Sequence, residues 1–208
     1  MPVWRLGYFE GPCDFPPHHL YAWTNRFDDP RREYRTIYCA DEKRTCLREV
    51  LADLRPNRKA LSEYERLFGS GGPELDPVGT VPMEWRSKHV LAQAEMELQR
   101  GEIVDIEDAK ALESLEGRLA SFLRGEGVKH LNIKELRGKN RHITQQVSRI
   151  IFDDEEAGIK FRSHLDTNAC YALFEFRARL RQIGRGIVLA APVPELVAIC
   201  KEFELTLE

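Results

Sequence analysis

Apolar and polar positions alternate with a strand's period in "PVWRLGY" (2–8), and the Gly/Pro-rich "EGPCDFPPHH" that follows excludes regular structure. The chain therefore opens on a strand and a long loop. "EYRTIYCA" (33–40) is β-branched and aromatic, predicting a second strand. Asp41 stands where an N-cap is expected, ahead of Leu47, Val50, Leu51 and Leu54 at i, i+3, i+4 and i+7. This stretch reads as strand, turn and amphipathic helix.

"NRKALSEYERLFG" (57–69) continues in helical pattern, and "GSGGPELDPVG" (69–79) then breaks it, marking the best internal boundary. A strong amphipathic helix is predicted over 104–127, with Leu112, Leu115, Leu119 and Leu123 on one stripe. Another is predicted in "NRHITQQVSRIIFDD" (140–154), with Ile143, Val147, Ile150 and Ile151. Short strands return at "IKFRS" (159–163), "ACYALFEF" (169–176) and "GIVLAAP" (186–192), before a closing helix, "PELVAICKEF", with proline at its start. The layout predicts an α+β fold whose single sheet is assembled from both ends of the chain, around a helical middle segment.

A 42% hydrophobic content over 208 residues is enough to build one domain's core. The balance of 31 basic and 34 acidic side chains gives −3, without a block of like charges, which argues against direct nucleic-acid binding. Five scattered cysteines, none spaced Cys-x-x-Cys, predict reduced thiols in a cytoplasm and neither a disulfide framework nor a zinc ribbon. No apolar run reaches membrane-spanning length and "MPVWRLGYFEGP" lacks a signal peptide's pattern, so a soluble, unexported protein with no membrane contact is expected. The adjacent His18 and His19 have no ligand at metal-site spacing, and no metal is expected. "GSGGP" follows a helix and lacks the lysine of a phosphate loop, and motifs of dinucleotide-binding enzymes, α/β-hydrolases and zincins are absent.

Three separated pieces resemble the RES domain, a bacterial family named for an arginine, a glutamate and a serine: "VWRLGY", "NRFDDPRREYRTIYCADEKRTCLREVLADLRP" and "AGIKFRSHLDTNACYALFE". "RHITQQVSRIIFDD" is similar to the segment preceding the serine in longer members, so the resemblance spans nearly the whole chain. It implies an ADP-ribosyltransferase-like core sheet in a single domain, 1–208, with a core of about 1–67 and 156–208 and a helical insertion of about 68–155. It further implies cleavage of NAD at the nicotinamide glycosidic bond, with ADP-ribose passed to phosphate or water. Toxin members of the family are usually encoded with a DNA-binding antitoxin, so an antitoxin partner is a further expectation.

Carried over by position, the candidate site is Arg5, Arg26, Tyr38, Glu49 and Ser163. Arg5 and Arg26 suit NAD's pyrophosphate as permanently charged, planar donors; an arginine in a short strand is otherwise usually a solvated edge residue. Tyr38 offers an aromatic face for nicotinamide and a hydroxyl for orientation, its plainer role being core packing. Cleavage builds positive charge on the ribose, which Glu49 would stabilise. At about 100° per residue Glu49 falls about 200° from Leu47, so periodicity alone makes it solvated. Ser163 can hydrogen-bond ribose or phosphate, or serve only as a turn residue.

The chain departs from many members at His164, where an arginine is common, and at "NRFDDP", which replaces the Gly-Gly-Arg-Trp-Asn of shorter toxins. The acceptor is accordingly left open. The alternatives are an ADP-ribosyltransferase acting on a macromolecule and an inactive RES-fold module whose contact surface is the helical segment 83–155.

Overall fold

Strand β1 (Pro2–Tyr8) forms where the opening alternation predicts it, and its inner position in the sheet explains the pattern. Val3 packs on one face and Leu6 on the other, so two layers of core meet at this strand. The computed structural model describes residues 1–56, 62, 63, 66, 67, 79–138 and 140–208. The helical continuation expected over 57–69 and the boundary over 69–79 lie largely outside the described residues.

The remaining strands are β2 (Thr36–Ala40), β3 (Thr80–Val81), β4 (His89–Leu98), β5 (Ile103–Asp105), β6 (Gly158–Arg162), β7 (Ala169–Phe174), β8 (Ala178–Val188) and β9 (Thr206–Leu207). Seven of them form one mixed sheet in the order β5-β6-β7-β2-β1-β4-β8, and β3 and β9 pair separately in parallel. Only β5 and β6 run parallel in the large sheet. The α+β class stands, with strands from the two ends of the chain side by side at β2–β7.

The middle of the chain also supplies strands, which the helical reading did not anticipate. "HVLAQAEMEL" is rich in helix formers, yet it forms β4, lodged between β1 and β8 with Val90, Leu91, Ala92 and Ala94 buried. Tertiary pairing overrides local propensity there. The helix expected over 104–127 is preceded by β5 and begins at Ala109, because Asp108 Oδ1 accepts the amides of Lys110 and Ala111 as an N-cap.

Helices among the described residues include α1 (Lys43–Leu51), α2 (Met83–Lys88), α3 (Ala109–Gly125), α4 (Ile133–Arg137), α5 (Arg141–Asp153) and α6 (Pro194–Phe203). Leu115, Leu119 and Leu123 of α3 and Ile143, Val147 and Ile151 of α5 are buried, as their spacing predicts. α6 carries proline at its start and packs against α1. α1 is capped by Glu42 rather than Asp41, with no side-chain cap bond.

Candidate active site

The polar side of α1 is where the site begins. Leu47 and Leu51 are fully buried, but Val50 of the predicted stripe is 42% exposed. The face bearing Thr45, Arg48 and Glu49, at i, i+3 and i+4, is covered by the 163–168 turn. Thr45 Oγ1 donates to Asp166 Oδ2 at 2.7 Å, and Arg48 pairs with the same oxygen at 2.9 Å. Ser163 Oγ donates to Glu49 Oε1 at 2.6 Å, joining residues 114 positions apart in the chain. Glu49 is therefore half-buried under a polar turn and not fully solvated.

Ser163 follows β6 and is only 1% exposed. Its amide bonds Asn168 O at 2.9 Å and its hydroxyl also accepts the Leu165 amide at 3.1 Å, so the turn holds the serine in a fixed rotamer. The other Glu49 oxygen has no hydrogen-bond partner among the described residues.

Arg5 sits where β1 and β2 part, the ladder between them registering only Trp4 with Ala40. Its guanidinium fills the opening: Nε donates to Pro12 O at 2.8 Å and Nη1 to Tyr38 O at 3.0 Å. A Cβ at Gly7 would collide with the Pro12 carbonyl, so glycine there lets the loop reach Arg5. Arg5 makes no ion pair among the described residues, and burial lowers its pKa.

Tyr38 is half-buried against the main core, and its hydroxyl serves the protein itself. It accepts the Phe27 amide at 2.9 Å and donates to Asp28 Oδ1 at 3.2 Å, while burial and the Asp28 charge push its pKa up. Arg26, next to Phe27, donates through Nη1 to Leu136 O at 3.2 Å. Burial lowers the Arg26 pKa, the Glu49 charge opposes that shift, and Arg141 at the start of α5 adds to it.

The five side chains thus fall into two bonded pairs, Ser163 with Glu49 and Arg5 with the Tyr38 backbone, and Arg26, which lies one residue before the amide held by the Tyr38 hydroxyl and bonds Leu136 O. Sequence reading missed the groups that hold them. Asp166 anchors the serine turn to α1. Glu107 pairs with Arg137 at 2.6 Å and accepts the Arg162 amide at 3.1 Å, tying α4 to the residue before Ser163. Asp28 holds Tyr38. None of these carboxylates stands at a periodic spacing from its partners, so no local signal exposes them. Among the described residues no cluster of three or more His, Cys, Asp or Glu is placed to hold a metal ion, and no helix is long and apolar enough to cross a membrane.

The family model that matches this chain is the RES domain, over residues 2–185. The chain belongs to the RES domain family. No curated protein matches it. Among solved structures this RES domain is similar to a chain of the M. tuberculosis MbcT–MbcA toxin–antitoxin complex, with a TM-score of 0.53 and 13% sequence identity, covering 97% of this chain and 87% of that one. At that identity the likeness is one of fold, and it supports the α+β architecture of the RES domain described above.

Proposed function

We propose that this RES domain cleaves NAD at the nicotinamide glycosidic bond and passes ADP-ribose to phosphate or water. The observation that carries the reading is the hydrogen bond from Ser163 to Glu49, which joins the second and third pieces of the family pattern. As the C–N bond breaks, its electron pair leaves with nicotinamide and the ribose carbon gains positive charge. A carboxylate beside that carbon favours the transition state over the ground state. Ser163 holds one Glu49 oxygen and leaves the other for the sugar.

Arg5 and Arg26, neither in an ion pair among the described residues, supply the positive charge that a pyrophosphate requires. In this reading the Tyr38 hydroxyl, bonded to the Phe27 amide and Asp28, orients the Arg26 loop, and its ring face would meet nicotinamide. In this reading the chain is a single domain working in the cytoplasm as the toxin of a pair, restrained by an antitoxin. The antitoxin is carried over from the toxin–antitoxin complex whose fold it shares.

Incubating the purified protein with NAD, with and without phosphate, and following free nicotinamide tests the reaction. Release that depends on Glu49 is expected, and phosphate-dependent formation of a phosphorylated ADP-ribose identifies the acceptor. Release no faster than that of a Glu49→Ala variant removes the proposal.

A further inference from the structure

Adjacent aspartates Asp28 and Asp29 are both buried, at 0% and 1% exposure, and their surroundings differ. Asp29 has an ordinary explanation. It accepts the amides of Arg31 at 3.1 Å and Glu33 at 2.6 Å, closing a turn, and it pairs with Arg149 of α5 at 3.5 Å. Asp28 makes no ion pair among the described residues, and its hydrogen-bond donors are all neutral. Oδ1 accepts the hydroxyls of Tyr21 at 2.5 Å and Tyr38 at 3.2 Å, and Oδ2 accepts the Asn25 amide at 2.7 Å.

A buried carboxylate without a cation is costly, and an apolar side chain of similar volume would fill the space at less expense. What an apolar side chain cannot do is accept three donors at once. The Tyr38 hydroxyl, having donated to Asp28, accepts the Phe27 amide at 2.9 Å, and the Tyr21 hydroxyl accepts the Thr36 amide at 3.0 Å. One carboxylate thereby joins two positions of β2 to the turn 25–28, and Arg26 sits inside that turn. Other contacts close around the same turn: Gln145 Nε2 donates to Asn25 O at 3.1 Å and Ser148 Oγ to Phe27 O at 2.7 Å.

We propose that Asp28 is a positioning residue of the site, fixing the Tyr38 hydroxyl and the 25–28 turn so that the Arg26 guanidinium is held in place against Leu136 O. This rests on the NAD-cleaving reading. Asn is isosteric at this position, but only one of its two terminal atoms accepts: with its oxygen toward the tyrosines its NH₂ group faces the Asn25 amide, and flipped it faces the two hydroxyls, so the junction loses a bond and the turn loosens in either case.

The test combines amide hydrogen exchange at residues 25–28 with NAD kinetics, using wild type, Asp28→Asn and Tyr38→Phe. Asp28→Asn is expected to exchange faster at Asn25 and Phe27 and to lose about 10- to 100-fold in kcat/KM, mostly as a higher KM for NAD. Wild-type exchange at both amides overturns the proposal, and so does faster exchange with an unchanged KM, the result of a merely structural role. Should Asp28→Asn fail to fold, Tyr38→Phe cuts the same ring from β2. It must then show both the faster Phe27 exchange and the higher KM, and either one unchanged overturns the proposal. If wild type releases no nicotinamide, the NAD reading fails on its own, and exchange at Asn25 and Phe27 decides whether Asp28 holds the Arg26 turn.

Discussion

Ser163 Oγ lies 2.6 Å from Glu49 Oε1, a hydrogen bond between a turn after β6 and the polar face of α1. It turns two residues with unremarkable local settings into one unit, with a carboxylate whose orientation is fixed by the hydroxyl of a buried serine.

Glu49→Gln keeps the shape of the side chain and a carbonyl oxygen for Ser163, but removes the charge. The expected outcome is a loss of about 10²- to 10³-fold in kcat for nicotinamide release, with the melting temperature retained. Single-turnover kinetics beside a thermal melt check both halves of that expectation.

Ser163→Ala leaves Glu49 without its orienting donor and the Leu165 amide without its acceptor. Stability is expected to fall by about 1–3 kcal/mol, and turnover to fall with it. Combined with Glu49→Gln, the two losses in kcat should be less than additive, because both substitutions disable one unit. A double-mutant cycle measures this directly, and full additivity would separate the two residues.

Arg5→Lys retains the charge but replaces a planar fork with one ammonium group. It cannot meet the Pro12 and Tyr38 carbonyls in the same geometry, so a stability loss of about 1.5–3 kcal/mol is expected, together with a raised KM for NAD. Denaturant melts and initial rates test the pair of effects.

Acid should loosen the serine turn through Asp166. Burial raises the pKa of this carboxyl, but hydrogen bonds from Thr45, the Asn168 amide and Arg48, together with the Arg48 charge, hold it below its ordinary value. A folded-state pKa below the unfolded one gives stability that is present above the unfolded value and is lost as pH falls through the folded value. Wild type should therefore lose melting temperature more steeply than Asp166→Asn on going from neutral to acid pH. Parallel curves for the two proteins would exclude this linkage.

Much of the fold is legible locally. The alternation in β1, the stripes of α3 and α5 and the proline at the start of α6 each mark an element whose buried face is set by a repeat in the sequence. β4 was not legible, because its alanine, glutamate and methionine content favours helix and only a place between β1 and β8 makes it a strand. Val50 shows the same limit on a smaller scale: the predicted stripe includes it, yet α1 packs against the sheet and α6 in a way that leaves it exposed.

The sequence by itself determined the family, the mixed class and the five candidate residues, because these depend on residue type and order. Tertiary structure decided what each residue touches. It turned the supposedly solvated face of α1 toward the 163–168 turn, set Arg5 in the gap between two strands, and committed the Tyr38 hydroxyl to Asp28 and Phe27. Periodicity records which face of an element is apolar. It carries no information about which polar face another polar segment will cover, and here that covering, by a turn 114 positions away from Glu49, is what brings Ser163 to Glu49.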